Sequence, residues 1–110
     1  MQNSIHNIEI RPETFSIENV SFWKKRKNIF IEIHENGQIF TVFKNWGIYK
    51  CLQIESQYDS ESYGILQKIS GIFSEHNISI FAFSSINFWY FFFEETFQKE
   101  VEIHILHKII

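Results

Sequence analysis

The sequence predicts a single α+β domain, and three observations lead to that prediction. Segments with an apolar residue at every second position fill the first half of the chain and predict strands. In the second half, two segments carry apolar residues three or four positions apart, which is typical of amphipathic helices. A chain of 110 residues has room for one small domain.

The predicted elements follow one another without a Pro, Gly or Ser-rich linker. The predicted strands are Ser4–Ile10, Phe15–Val20, Asn28–Glu35, Gln38–Lys44, Ile48–Glu55, Ile78–Ser84 and Phe88–Glu94. Asn36-Gly37 predicts a β-hairpin, because both central residues of a type I′ turn need positive φ. One helix begins near Tyr63 and ends at His76-Asn77, where Asn accepts the left-handed conformation, and Thr96–Lys108 forms the other.

This order divides the chain into a strand-rich N-terminal half, residues 1–45, and a C-terminal β-α-β-β-α unit, residues 46–110. Two amphipathic helices in such a unit pack side by side on one face of an antiparallel sheet, which gives an α+β sandwich. We expect one continuous unit, in which the two halves share a sheet or make a sheet-to-sheet contact.

Composition and charge exclude several classes of function. The net charge of −3 argues against a general nucleic-acid or anionic-membrane surface, and the lone basic run, 24–27, is expected to be solvated. The stretch from His76 to Phe93 has no formally charged residue, but Ser84–Asn87 at its middle predicts a turn between two strands rather than a membrane span.

The single cysteine, Cys51, lies in a strand-like context and is expected to be a buried, unreactive thiol. One cysteine excludes an intrachain disulfide. Residues 1–10 mix polar residues among the apolar ones and do not resemble a secretory signal. These points together favour the cytoplasm.

The start of the first helix, Tyr63-Gly64-Ile65-Leu66, and the strand that follows it, Ile78-Ser79-Ile80-Phe81-Ala82, resemble an ACT domain. The closest resemblance is to small bacterial ACT-like proteins in which an N-terminal half is fused to a C-terminal ACT half. Asp59, five residues before Gly64, and Trp46, before the first strand of this half, fit the same pattern. The resemblance covers about residues 46–94 and implies a ferredoxin-like βαββα sandwich with the strand-rich N-terminal half packed against it.

The resemblance also implies a non-catalytic regulatory module that binds a small ligand, usually an amino acid, and forms a homodimer. The ligand-binding residues that it implies lie in the strand–helix loop and at the start of the next strand: Asp59, Ser60, Glu61, Ser62, Tyr63, Gly64, Ile65, Asn77, Ile78, Ser79 and Ile80. A helix N-terminus carries free N–H groups that bind carboxylates, and Gly64 has no Cβ to obstruct a close approach. The alternative is that Asp59 and 60–62 only cap the helix.

Phe88 and Trp89 depart from the family pattern, because relatives tend to carry polar and acidic residues in that turn. We therefore expect these two aromatic residues to decide the ligand or partner preference. One face of the Phe88–Phe93 strand belongs to the core, and its other face must be covered by the N-terminal half, a partner subunit or a ligand.

Other interpretations have less support in the sequence. An acyl-phosphate hydrolase needs an arginine in the first strand–helix loop, and residues 57–64 contain none. Glu100, His104 and His107 have metal-compatible spacing but no further ligand set, and Cys51 has no signature of a nucleophile. We expect neither a cofactor nor a metal. The main alternative is a structural dimerisation module with a vestigial ligand site.

Overall fold

The computed structural model describes residues 5–20, 28–45, 47–56 and 62–109. In this part of the chain, seven antiparallel strands form one curled, half-barrel sheet, accompanied by two helices. The strands are β1 (Ile5–Ile10), β2 (Phe15–Val20), β3 (Ile29–Glu35), β4 (Gln38–Lys44), β5 (Tyr49–Ser56), β6 (Phe81–Ser84) and β7 (Phe88–Glu94). Helix α1 spans Ser62–Glu75, and a second helical segment, α2, runs from Glu95 to Ile109.

The predicted ferredoxin-like βαββα sandwich, with a separate half packed against it, is wrong. The strands pair in the order β3-β4-β2-β5-β7-β6, and β1 also pairs with β5, so the N-terminal strands continue the same sheet. Of the two arrangements that the sequence left open for the halves, the structure has the shared sheet. The physical reason is that the backbone N–H and C=O groups on both edges of β5 need hydrogen-bond partners. β7 pairs with one edge, and β1 and the start of β2 pair with the other.

Local signals in the sequence predict the turns correctly. Asn36 and Gly37 have φ of +50° and +76° and connect β3 to β4, which confirms the hairpin. Asn77 has φ of +58° after α1, which confirms its place at the end of the helix. The Ile78 N–H bonds the Phe73 carbonyl at 3.0 Å and the Asn77 N–H bonds the Ser74 carbonyl at 3.0 Å, so the last carbonyls of α1 are satisfied.

Close packing at the corner between β4 and β5, and a buried lysine on β5, hold β2 and the link between β1 and β2 in place. A Cβ on Gly47 would lie 1.7 Å from the Phe15 carbonyl oxygen, so only glycine fits beside β2. Lys50 is buried, and its Nζ donates to the carbonyls of Pro12 and Glu13 at 3.0 Å each. These bonds fix the link between β1 and β2 against β5.

The two helices cover one face of the sheet at β1, β5 and β7, and we call it the helix face. Its core contains Leu52 and Ile54 from β5 and Phe91 and Phe93 from β7. The helices contribute buried residues at steps of three or four: Ile65, Ile69, Ile72, Phe73, Val101, Ile105 and Ile109. The helix α2 includes a π-helical stretch at Val101–Ile105, and Val101 and Ile105 still reach the core.

The opposite face is the inside of the curl, and we call it the concave face. Among the described residues, its buried core consists of Phe15, Val42, Cys51 and Phe92. Phe30 of β3 contacts Tyr90 of β7, with ring centroids 5.2 Å apart, although β3 and β7 are not neighbours in the sheet. The second face of the Phe88–Phe93 strand is therefore covered in part by the N-terminal strands, one of the three alternatives left open by the sequence.

Within the described residues, no helix has both the length and the apolarity that crossing a membrane requires.

Candidate functional site

The structure places the predicted ligand-binding residues in two sets. Asp59, Ser60 and Glu61 lie outside the described residues. Ser62, Tyr63, Gly64 and Ile65 form the first turn of α1, whereas Asn77, Ile78, Ser79 and Ile80 follow its last turn. A 14-residue helix at 1.5 Å per residue is about 20 Å long, so the two described sets lie at opposite ends of α1 within one chain.

Two of these residues are structural in this chain. Ile65 and Ile78 are buried in the helix-face core, where they contact other apolar side chains. Gly64 is exposed, and a Cβ at this position would meet no described atom within 4 Å. Within the described residues, neither tight packing nor strained backbone therefore explains the glycine.

The set after α1 lines a shallow cleft of about 410 Å³, which we call the serine cleft. Its lining residues are Ser70, Ser74, Asn77, Ile78, Ser79 and Ile80. The side chains are hydroxyls, one amide and two isoleucines, so the cleft offers no formal charge to a ligand.

A second cleft, of about 500 Å³, opens at the concave side of the sheet, and we call it the glutamate cleft. Its lining residues are Asn7, Ile8, Glu9, Gln53, Glu55 and Phe88. Its volume is within the range of small-molecule sites, and it combines two carboxylates and two amides with one aromatic ring. The described lining contains no positively charged side chain.

Strand register brings these residues together from three parts of the chain. Glu9 of β1 lies opposite Gln53 of β5, and Asn7 lies opposite Glu55. On the other side of β5, Phe88 of β7 lies opposite Glu55. Because side chains two apart on a strand share a face, the polar residues of β1 and β5 form two adjacent rows beside the Phe88 ring.

Hydrogen bonds within the wall hold the polar side chains in place. Asn7 Nδ2 donates to Glu55 Oε1 at 2.8 Å, and Gln53 Nε2 donates to Glu9 Oε1 at 3.5 Å. Arg11 Nη1 donates to Gln53 Oε1 at 2.8 Å, which orients the Gln53 amide. A carboxylate has two oxygens and four lone-pair sites, so each glutamate keeps capacity to accept further bonds.

Arg11 stands next to the cleft but is already paired with Glu13. Arg11 Nε and Nη2 donate to the two Glu13 oxygens at 3.1 and 3.0 Å, a bidentate ion pair. This hydrogen bond lowers the pKa of Glu13 and raises the pKa of Arg11 from their ordinary values. The Arg11–Glu13 pair has no net charge, so Glu9 and Glu55 keep the cleft acidic, although Glu9 also attracts the Arg11 guanidinium.

Aromatic rings extend from the cleft along the concave face. Phe88 stacks on Tyr90 with centroids 6.0 Å apart, and Tyr90 meets the edge of Phe30. The Arg11 guanidinium lies 4.9 Å from the Phe30 centroid. Trp89 faces the other way, stacked on Phe91 and packed against the helix-face core, so Phe88 lines the cleft and Trp89 does not.

The other candidate groups make no reactive centre. Cys51 is buried, and burial raises the pKa of its thiol to about 12, which keeps it protonated at neutral pH. His104 stacks on His76, and His76 Nδ1 lies 3.7 Å from Glu100 Oε1. In the part of the chain that the structure describes, no group of three or more His, Cys, Asp or Glu side chains converges on a metal position.

No family model, no curated protein and no solved structure matches the chain. The resemblance to ACT domains stays a prediction.

Sequence reasoning pointed to Phe88 but missed Asn7, Glu9, Gln53 and Glu55. A signal for them was present, because β1 and β5 each carry two polar residues at spacing two among apolar neighbours. That alternation predicts a polar face on each strand. The alternation does not predict that β1 and β5 pair, and this pairing is what brings the four polar side chains together.

Proposed function

We propose that this protein is a non-catalytic module that binds a small amine-bearing ligand, an amino acid or a related amine, in the glutamate cleft. The observation that carries the proposal is the placement of Glu9 and Glu55 beside the Phe88 ring in a cleft of about 500 Å³. A ligand with a positively charged nitrogen and an apolar body matches both features.

The chemistry of the cleft favours a cation. Hydrogen bonds between an ammonium group and a carboxylate are about twice as strong as neutral ones, and two carboxylates surround the site. The Phe88 ring offers apolar contact and, through its face, a further attraction for positive charge.

The amides of Asn7 and Gln53 extend the match to an amino acid. Each side-chain amide carries two N–H donors, and one donor of each is used in the bond to a glutamate. The second donor suits a carboxylate or carbonyl oxygen on the same ligand. Glu55 also lies close in sequence to the loop that the resemblance implied, two residues before Gln57.

The Cys51 thiol is buried and protonated, so it is not available as a nucleophile. This supports a binding role rather than a catalytic one. We include a cytoplasmic location in the proposal, supported by a single cysteine that is a free, buried thiol.

A thermal-shift panel tests the proposal. The twenty amino acids and a set of primary amines would be added at millimolar concentration, and a ligand that binds the folded state must raise the melting temperature by mass action. At a concentration of 100 Kd the stabilisation is about 2.7 kcal/mol, which amounts to several degrees for a domain of this size. No shift with any amine would contradict the proposal.

A pair of matched variants tests whether the thermal shift arises from binding in the glutamate cleft. Glu55→Gln keeps the shape of the side chain and removes its charge, so the affinity for the amine should fall roughly tenfold or more. Glu35→Gln, at the exposed β3–β4 hairpin, is the control and should keep the full shift. Equal responses of the two variants would show that the ligand binds elsewhere.

A further inference from the structure

Strand β6 presents an unpaired edge. Among the described residues it pairs with β7 only, and Phe81, Ala82 and Ser84 are exposed. The edge is short, four residues, but it carries no charged side chain, no proline and no bulge, which are three of the usual devices that prevent a strand edge from pairing with another chain.

The hydrogen bond of the adjoining turn fixes which backbone groups face outward. The Ser85 N–H donates to the Phe88 carbonyl at 2.8 Å, so 85 and 88 form a hydrogen-bonded pair. Hydrogen-bonded pairs alternate along an antiparallel ladder, and therefore Phe83 and Phe81 bond to β7. The N–H and C=O groups of Ala82 and Ser84 point to the free edge.

Charge distinguishes this edge from that of β3. Strand β3 pairs only with β4 among the described residues, and it carries Glu32, His34 and Glu35. A second copy pairing there about a two-fold axis would bring like charges close together, which is destabilising in a sheet. β6 carries no charged side chain, so an identical strand along its edge would meet no such conflict.

We propose that a second copy of this chain binds along β6, antiparallel, with the two-fold axis at Phe83. Only residues whose backbone groups face outward can pair, so Ala82 of one copy lies opposite Ser84 of the other. The two Phe83 side chains then meet as a cross-strand aromatic pair. The proposal is independent of the ligand site on the concave face.

In the same register, the exposed Ile86 of each copy lies beside the serine cleft of the other. Ile86, in the turn after β6, is 75% exposed. In this register it is placed next to Ile80 of the other copy, and Ile80 lines the serine cleft with Ser70 and Ser74. The uncharged cleft of about 410 Å³ on each copy thus receives an apolar side chain from its partner.

Sedimentation equilibrium over a range of concentrations tests this interface. The wild-type chain should reach twice its mass of 13.3 kDa. Ala82→Pro removes an outward N–H without touching the bonds to β7, and Ile86→Lys puts like charges into both clefts; each should weaken the dimer by about tenfold or more. Ala82→Ser and Ile103→Lys are the controls, since Ile103 is also exposed but lies on α2.

Circular dichroism and melting temperature would establish that each variant is folded. A wild-type chain that stays monomeric at every concentration would overturn the proposal. So would a dimer that Ile86→Lys and Ala82→Pro, both folded, leave unchanged.

Discussion

The two faces of the sheet differ in what covers them. The helix face is covered by α1 and α2, and its buried core is formed by aliphatic and phenylalanine side chains. The concave face has a core of buried residues, four among those that the structure describes, which is bordered by half-buried rings and by the Arg11–Glu13 pair. The same strands thus contribute alternate residues to a stabilising face and to a face suited for recognition.

The difference follows from the covering elements. Two amphipathic helices bury the helix face of β5 and β7, whereas β3 covers the concave face mainly through Phe30. The end of that face beyond Phe30 keeps its polar side chains, and the glutamate cleft lies there.

The largest expected effect comes from removing one ring on each face. Phe73→Ala, on the helix face, should lower the free energy of unfolding by about 3–5 kcal/mol, because it deletes a fully buried ring. Phe30→Ala, on the concave face, should cost less than about 2 kcal/mol, since the side chain is half-buried. Urea unfolding of both variants measures the difference, and equal losses would contradict the contrast between the faces.

The sequence predicts the turns and the helix end but not the pairing of distant strands. The β3–β4 hairpin and the end of α1 depend on Asn36-Gly37 and Asn77, whose positive φ values are local properties, and both were predicted correctly. The pairing of β1 with β5 joins residues more than 40 positions apart, and no local pattern specifies it. In β7 both faces are apolar, so the alternation that assigns faces elsewhere is missing.

The candidate site depends on the same long-range pairing. Phe88 was predicted from its departure from the ACT pattern. Glu9 and Glu55 come together beside it only because β1 pairs with β5. The residues implied by the resemblance form two runs in the sequence, 59–65 and 77–80, and α1 separates their described parts.

A smaller effect concerns acid sensitivity, which should reside on the concave side. The Arg11 guanidinium lowers the pKa of Glu13 below its ordinary value of 4.5. A lowered pKa stabilises the folded state above the unfolded value, and this contribution is lost as the pH falls through the folded value. Glu13→Gln should therefore cost up to about 1 kcal/mol at pH 7 and progressively less below about pH 5.

Chemical denaturation of wild type and Glu13→Gln at several pH values measures this difference, with Glu35→Gln as the exposed control. A difference that grows on acidification would show that Glu13 is not stabilised as a carboxylate.

The glutamate cleft, and not the residues around α1, is the binding site that we propose for an amine-bearing ligand. The most direct test is an amide chemical-shift titration of the ¹⁵N-labelled protein with the amine that gives the largest thermal shift. We expect the saturable changes to centre on Asn7, Glu9, Gln53, Glu55 and Phe88. Changes centred instead on Ser70, Ser74 and Asn77–Ile80, with the cleft residues unmoved, would contradict it.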